Sequence, residues 1–440
     1  MNWNKSSMIT PLRILLTGAT GFVGRHVRDA LLADGHDLVC AVRAHRGSTN
    51  PRLRYITADF AKDTDKSVWL ARLAGIDVVI NTVGIFRQSR GQTFAALHTD
   101  APRALFAACA ESGQVRMVIQ LSALGADEGA ATRYHLTKKA ADDYLAGLPL
   151  ASWIVQPSLI YGKDGDSARM FRMLASMPCT VRFGDAPQLV QPVHVDDVAD
   201  ALVALVRGPP AGAGVRLALV GPEPLPFTGY LGALRRALGM GRQRVLRLPG
   251  TVARGLASAS RWLPGTMPDR DALSMLDRGN TADPAPTAQL LGRQPRPVSR
   301  FIDDPGAERA QAKLQWLLPV LRFSIAAVWI ATAAVSFGLF PVERSYDLLA
   351  RTGIPAALQP LMLYGAATFD LALGLGILLL RKRRWLWLAQ IGLIGFYTAV
   401  IAIRLPEFLL HPYGPLTKNL PMLAAIWLLY ELEESRTWNT

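Results

Sequence analysis

The sequence predicts an α/β domain built on a doubly wound parallel sheet with a small substrate lobe, followed by an all-α domain of four membrane-spanning helices. Three observations carry this reading. Gly18, Gly21 and Gly24 stand at three-residue spacing between a short apolar strand and a helix. Strand-length apolar runs then alternate with helical segments. From Leu317 onward that alternation gives way to apolar runs long enough to cross a bilayer.

At 440 residues the chain holds two or three domains, at about 100–200 residues each. Half of it is hydrophobic and 19% is charged, against about 25% in soluble proteins. Disorder is excluded for most of the chain. So is a fully soluble protein, because the apolar excess is concentrated in the C-terminal part. The net charge is +14. Ten Lys/Arg and seven Asp/Glu lie from Leu317 onward, so +11 belongs to the first 316 residues. These basic residues are dispersed and no nucleic-acid reader motif accompanies them, so a nucleic-acid partner is discounted. The charge suits an anionic lipid surface instead. Cys40, Cys109 and Cys179 are odd in number and far apart. They argue against a disulfide framework or a zinc site and for a reducing compartment, and no metal is expected.

The first strand is 12–16, short and apolar, stopped at Thr17-Gly18. The sequence Thr17-Gly18-Ala19-Thr20-Gly21-Phe22-Val23-Gly24 follows and runs into a helix through Ala33. Gly18 permits the tight turn, Gly21 the close approach of a pyrophosphate, and Gly24 close helix–strand packing, with the phosphates at the helix N-terminus. Strands are expected at 37–42, 53–57, 77–80 and 116–121, a helix over 93–111, and a sixth strand at 153–156. Acceptors of an adenine-side ribose normally end the second strand as Asp or Glu. Here Arg43, His45 and Arg46 stand there, a cationic fork suited to the 2′-phosphate of NADP, so NADP is preferred over NAD. Asp59, after the third strand, is placed at the adenine.

Tyr134 and Lys138 lie four apart, on one face of a helix. A phenol of pKa about 10 is a poor base at neutral pH, and an ammonium beside it favours the phenolate. Lys138 is also placed to bind the nicotinamide ribose, and Ser122, ending the fifth strand, to polarise a substrate carbonyl.

With these residues in order, the first ~300 positions resemble an extended or atypical short-chain dehydrogenase/reductase of the epimerase/dehydratase branch. The resemblance implies a Rossmann-type fold and maps the family's glycine motif, serine and Tyr-x-x-x-Lys onto Thr17–Gly24, Ser122, Tyr134 and Lys138. It extends the cofactor-binding set to Asn81, Val83, Gly84, Pro157 and Ile160. Residues 79–86 and 121–127 further resemble the Rossmann-type accessory subunit of respiratory complex I, which holds a nicotinamide cofactor without being considered a turnover enzyme. Gln156 departs from the Arg that many relatives carry before the proline. His194 reads as a packed histidine, Asp196 and Asp197 as N-caps of the following helix, and Cys40 and Cys109 as core residues.

The domain plan is therefore 1–282 for the dinucleotide-binding domain with its lobe, 283–313 for a proline-rich linker with little fixed structure, and 314–440 for the membrane domain. Residues 361–380 form twenty positions with one charge, Asp370, and about twenty apolar residues cross a hydrocarbon core. Spans are expected at 318–340, 361–380, 385–404 and 416–433. The basic run Arg381, Lys382, Arg383 and Arg384 marks a cytoplasmic loop, which puts the N-terminal domain and the C-terminus inside. Trp385, Trp387 and Trp438 are placed at membrane interfaces. The short run 14–16 is no signal peptide, so a bacterial-type inner membrane is expected. Span count and the Lys418-Asn419-Leu420-Pro421 entry to the last span resemble DoxX-like membrane domains. Asp370 is open between a functional carboxylate and one hydrogen-bonded between helices.

Two functions follow. One is a membrane-anchored NAD(P)(H)-dependent oxidoreductase or epimerase acting on a lipophilic carbonyl or hydroxyl substrate. The other is a nicotinamide-binding structural or sensing subunit of a membrane complex. Lipid and further copies of the chain are the expected partners besides the dinucleotide and substrate.

Overall fold

In the computed structural model the described residues are 10–44, 47–183, 188–210, 212–248, 270–380, 382–412 and 414–434. They form two compact units, Met1–Ala312 and Lys313–Thr440.

The first unit is built on seven parallel strands: β1 (Arg13–Thr17), β2 (Asp37–Val42), β3 (Leu53–Thr57), β4 (Val78–Asn81), β5 (Met117–Leu121), β6 (Ser152–Pro157) and β7 (Val215–Leu219). Their order is β7-β6-β5-β4-β1-β2-β3. Successive side chains of a strand face opposite ways. Ile14 and Leu16 accordingly bury one face with α1 (Phe22–Ala33). Leu15 buries the other face with α2 (Ala101–Ser112) and α3 (Arg133–Ala146). Cys40 and Cys109 lie in these two cores. With both faces covered, the strands read as continuous apolar runs rather than alternating ones. The exceptions are the edge strands β3 and β7, both only partly buried; β3 is still a bounded run, whereas β7, carrying Arg216, stands out as no such run in the sequence. The order reverses between β1 and β4, and ligands of such sheets bind at the carboxyl ends flanking that reversal.

α4 (Asp166–Ser176), the helix Phe227–Ala237 and the segment Val298–Ile302 close a smaller core around Tyr161, Phe171, Tyr230 and Phe301. This second core lies where a small substrate lobe is expected. α5 (Val195–Arg207) packs back against α1. Its N-cap is His194, whose ring Nδ1 accepts from the Asp196 amide at 3.3 Å. Asp196 and Asp197 sit in the first turn instead of capping it. Asp197 is buried and takes Arg293 at 2.8 Å and the Arg296 amide at 2.7 Å.

Residues 283–313 are not the loose linker expected from their prolines. Pro284 precedes and Pro286 lies within the first turn of the helix Ala285–Leu291, and Pro305 opens Pro305–Ala334. Proline fits a first turn because the N–H it lacks has no intrahelical partner there. The segment is tied down by Thr287, which accepts the Val220 amide at 3.0 Å, and by Val298, Phe301 and Ile302 in the lobe core.

Pro305–Leu339, which begins in the first unit, and Ala356–Leu379 and Arg384–Arg404 of the second are long and apolar enough to cross a membrane. The fourth expected span is the helix Asn419–Glu434, 16 residues, about 24 Å at 1.5 Å per residue and shorter than a hydrocarbon core of about 30 Å. Large apolar side chains point outward, Leu361, Leu379 and Ile403 among them, while Gln390 and Asp370 are buried. An apolar exterior around a partly polar interior suits lipid, not water. Trp387 corrects an expectation. It is fully buried in the unit instead of exposed, its indole N–H donating to Glu433 at 2.6 Å. Trp385 is exposed. Arg381 and Trp438 lie outside the described residues.

Candidate functional site

The glycine loop is built as its spacing requires. Gly18 has φ +75°, and a Cβ there would meet the Thr82 Oγ1 at 2.7 Å. A Cβ on Gly24 would fall 2.0 Å from the Gly18 carbonyl oxygen, so only glycine lets α1 lie this close to the turn. Gly21 is the N-cap of α1 and caps it with no side chain. A Cβ there meets only the Gly18 oxygen, at 3.2 Å. The first-turn N–H groups beyond it are the donors that suit a pyrophosphate. Thr20 and Gly21 are exposed at this mouth, and Val23 packs into the core beneath. Phe22 lies against Gly162 and Gly165, where an added Cβ would meet its ring at 2.8 Å and 2.9 Å. It thus joins the loop to the strand-end segment that starts at Pro157. That segment is fixed through the Pro157 carbonyl, which accepts the Leu124 amide at 2.9 Å, and through Ile160, which packs on the sheet core.

Thr17 and Asn81 bond each other across the sheet. Thr17 Oγ1 donates to Asn81 Oδ1 at 2.6 Å, and Asn81 Nδ2 donates to Gln120 Oε1 at 2.7 Å. Arg43 is exposed directly after β2. His45 and Arg46 lie outside the described residues. Asp59 Oδ1 accepts the Ala61 amide at 3.1 Å, which holds the turn after β3.

Ser122, Tyr134 and Lys138 converge beside the ends of β4 and β5. Lys138 Nζ donates to the carbonyls of Leu121 at 2.9 Å and Val83 at 3.3 Å. A Cβ on Gly84 would meet that same ammonium at 3.2 Å. Burial pulls Lys138 down to about 8, against the opposing pull of Asp142. The Tyr134 ring packs against Phe86 at 4.9 Å and against the edge of His98 at 5.4 Å. Burial pushes its phenol up to about 12, and Asp142 adds to the rise. The expected phenolate is therefore not what this environment favours: burial and Asp142 both hold the phenol neutral, and the Lys138 ammonium gives its protons to backbone carbonyls. Ser122 is buried, and its hydroxyl donates to Asp142 Oδ2.

Four further residues shape the site without having been singled out in the sequence. Asp142 lies one turn beyond Lys138, a spacing that was there to be read. His98 sits in the π-helical turn Ala95–Asp100, its Nε2 accepting the Ile85 amide at 3.0 Å and its Nδ1 meeting Thr137 Oγ1 at 3.1 Å. Burial first, then Lys138, hold it down at about 3, so it is neutral. Arg278 and Asn280 reach the loop after Ser122 from far along the chain, with Arg278 bonding the Gly125 carbonyl at 2.8 Å and Asn280 the Leu124 carbonyl at 3.3 Å. Gln156 joins them, its Nε2 donating to the Ala126 carbonyl at 3.1 Å. It fixes the loop rather than facing a ligand.

Residues 14–219 match the model of the NAD dependent epimerase/dehydratase family. The ceramide reductase of Caulobacter vibrioides is 30% identical over 239 residues, which cover 54% of this chain and 73% of that protein. The chain belongs to the NAD-dependent epimerase/dehydratase family. Its residues 326–427 match the DoxX-like family, and with the three long apolar helices among the described residues this makes the family member a membrane protein. Subunit 9 of the mitochondrial NADH dehydrogenase 1 alpha subcomplex of Arabidopsis thaliana is 25% identical over 276 residues, 60% of this chain and 66% of that one. Among solved structures, a nucleoside-diphosphate-sugar epimerase from Staphylococcus aureus superposes with a TM-score of 0.53 at 18% identity, covering 67% of this chain and 100% of that one. That likeness shows the shared fold alone.

Proposed function

We propose that this family member is a membrane-tethered NAD(P)H-dependent reductase of a lipophilic carbonyl substrate. The observation that carries the reading is the convergence of Ser122, Tyr134 and Lys138 beside Val83 and Gly84, next to the glycine loop. Thr20, Gly21, Phe22 and Val23, through their backbone at the start of α1, would hold the pyrophosphate. Arg43 would hold a 2′-phosphate, which favours NADP(H), with Asp59 at the adenine end and Lys138 at the nicotinamide ribose. Once bound, the nicotinamide supplies the hydride. Tyr134, kept as a neutral phenol by burial, is then a proton donor to the substrate oxygen, and that favours reduction over an epimerase cycle that begins with proton removal. Ser122 orients the carbonyl. The DoxX-like unit and a relative named for a lipid substrate support a lipid as substrate. The bacterial inner membrane, four crossings with the first unit inside, and self-association belong to the same proposal.

The second reading, a nicotinamide-binding subunit with little turnover, is favoured by the likeness to the NADH dehydrogenase subunit. Purified full-length protein, given NADPH and a long-chain methyl ketone, separates the two. Tyr134→Phe should retain NADPH binding and lose about 10²–10⁴-fold in rate, the usual size of a lost general acid. An unchanged rate would end the reductase reading.

A further inference from the structure

Asp142 rests on that reductase reading and extends it. Its side chain is fully buried, and one carboxyl oxygen takes the proton of Ser122. Behind it a buried polar row crosses three strands, from Thr17 through Asn81 to Gln120. Because Gln120 Oε1 is occupied by Asn81, its amide nitrogen is the group left to face Asp142. The row fixes Gln120, and Ser122 holds one carboxyl oxygen, while the other, Oδ1, is buried with no hydrogen-bond partner.

A serine hydroxyl carries one proton, and an ionised carboxylate can only accept. While Asp142 is charged, Ser122 spends its proton on it and offers a substrate oxygen nothing but lone pairs. A carbonyl oxygen needs a donor. A neutral Asp142 reverses the bond: its own O–H donates to Ser122 Oγ, and the Ser122 proton is free to point into the site. We propose that Asp142 is a positioning residue, and that its proton decides whether Ser122 faces the helix or donates to the substrate carbonyl. The neutral acid is the form competent for reduction. The chemical step balances without it: the carbonyl carbon gains hydride from the nicotinamide, its oxygen gains the Tyr134 proton, and Asp142 and Ser122 keep theirs.

The surroundings place the switch in a useful range. Burial pushes Asp142 up to about 7, against the hydrogen bond from Ser122, the charges of Lys138 and Arg216, and Gln120. The charged and titratable groups around it are Lys138 and Tyr134 on its own helix and Arg216 on β7, with Ser122 and Gln120 reaching it from β5. A raised carboxyl is neutral below its folded value and ionises as pH rises through it, so the Ser122-dependent rate falls on the alkaline side.

The test uses full-length protein in detergent with NADPH and a long-chain methyl ketone. At about pH 8, one unit above the folded value, about a tenth of Asp142 is neutral. Asp142→Asn carries an amide that donates to Ser122 permanently, so its rate at that pH should rise about tenfold over wild type and the fall through neutrality should vanish. The variant also removes the carboxylate's support of Lys138, which acts in the opposite sense, so a rise is diagnostic, whereas a merely structural role gives a loss at every pH. Ser122→Ala removes the switched group and should lose the same limb. Infrared titration of the wild type should show a protonated carboxyl band that disappears near neutral pH and is missing from Asp142→Asn. A band absent at about pH 6, or a wild-type limb retained in Asp142→Asn, overturns the proposal. A wild type that does not oxidise NADPH with the ketone overturns the reductase reading and the switch with it.

Discussion

Gly21 and Gly24 show how residues of one motif carry different burdens. A side chain at Gly24 collides with backbone at 2.0 Å, whereas one at Gly21 meets a single oxygen at 3.2 Å and otherwise projects at the mouth of the loop. Gly24→Val should therefore lower the unfolding midpoint, and Gly21→Val should leave it near wild type while abolishing NADPH binding. Thermal unfolding and a binding titration on both variants check this, and a Gly21→Val protein that still binds would remove the loop from the pyrophosphate site. Arg43 supports a second expectation at this scale. Its exposed guanidinium ends β2 where family members that favour NAD carry an acid. Arg43→Ala should bring NADPH affinity down to that for NADH, and equal affinities in the wild type would refute the preference. Residue types and spacing were enough to read the tight turn at Gly18, the close packing at Gly24 and the common helix of Tyr134 and Lys138. They were not enough to read the direction of a side chain. That Thr17 and Asn81 bond each other, and that Ser122 turns to Asp142, depends on strands β1, β4 and β5 lying side by side.

At the scale of elements, what the sequence showed was apolar runs bounded by turn residues. The strands β2 and β3 were legible to the residue because they are bounded runs, while the edge strand β7 was not. The prolines of residues 283–313 misled for the opposite reason: they mark helix starts as readily as loops, and only the partners of Thr287 and Phe301 decide. One consequence lies at the first turn of Pro305–Ala334. Arg172 of α4 is buried, donating to Glu308 Oε2 at 2.9 Å and to the Tyr161 hydroxyl at 3.2 Å. Removing one member of a buried ion pair leaves the other charge uncompensated, at a cost of about 3–5 kcal/mol. Glu308→Gln should destabilise the first unit by that order in denaturant unfolding. Replacing both partners by apolar residues, Arg172→Met with Glu308→Leu, should recover most of the loss. A Glu308→Gln protein as stable as wild type would show that the pair holds nothing.

The whole molecule poses the question of how many times the chain crosses the bilayer. Arg383 and Arg384, with Lys382, form a basic turn between two apolar helices, and such turns stay on the cytoplasmic side. Contacts inside the second unit say which other segments share that end. Arg383 and Arg322 both meet Glu433, at 3.2 Å and 2.9 Å, near the end of Asn419–Glu434. The beginning of that helix lies elsewhere: Asn419 Nδ2 donates to Thr398 Oγ1 at 2.8 Å, well along Arg384–Arg404 from its start. The short last helix therefore runs antiparallel to its neighbour from the level of Thr398 back to the level of Arg383. At the other end, Arg351 and Glu407 form an ion pair, which brings the turn after Val342–Arg351 together with the turn after Arg404. If the basic turn is inside, residues 343–351 and 407–418 are outside, and the chain returns inside after Glu434. Cysteines introduced singly at positions 347, 382 and 410, with the three native cysteines replaced by serine, test this in intact cells with a membrane-impermeant maleimide. Positions 347 and 410 should label and 382 should not, becoming reactive only after permeabilisation. Labelling at 382 in intact cells would invert this orientation of the second unit.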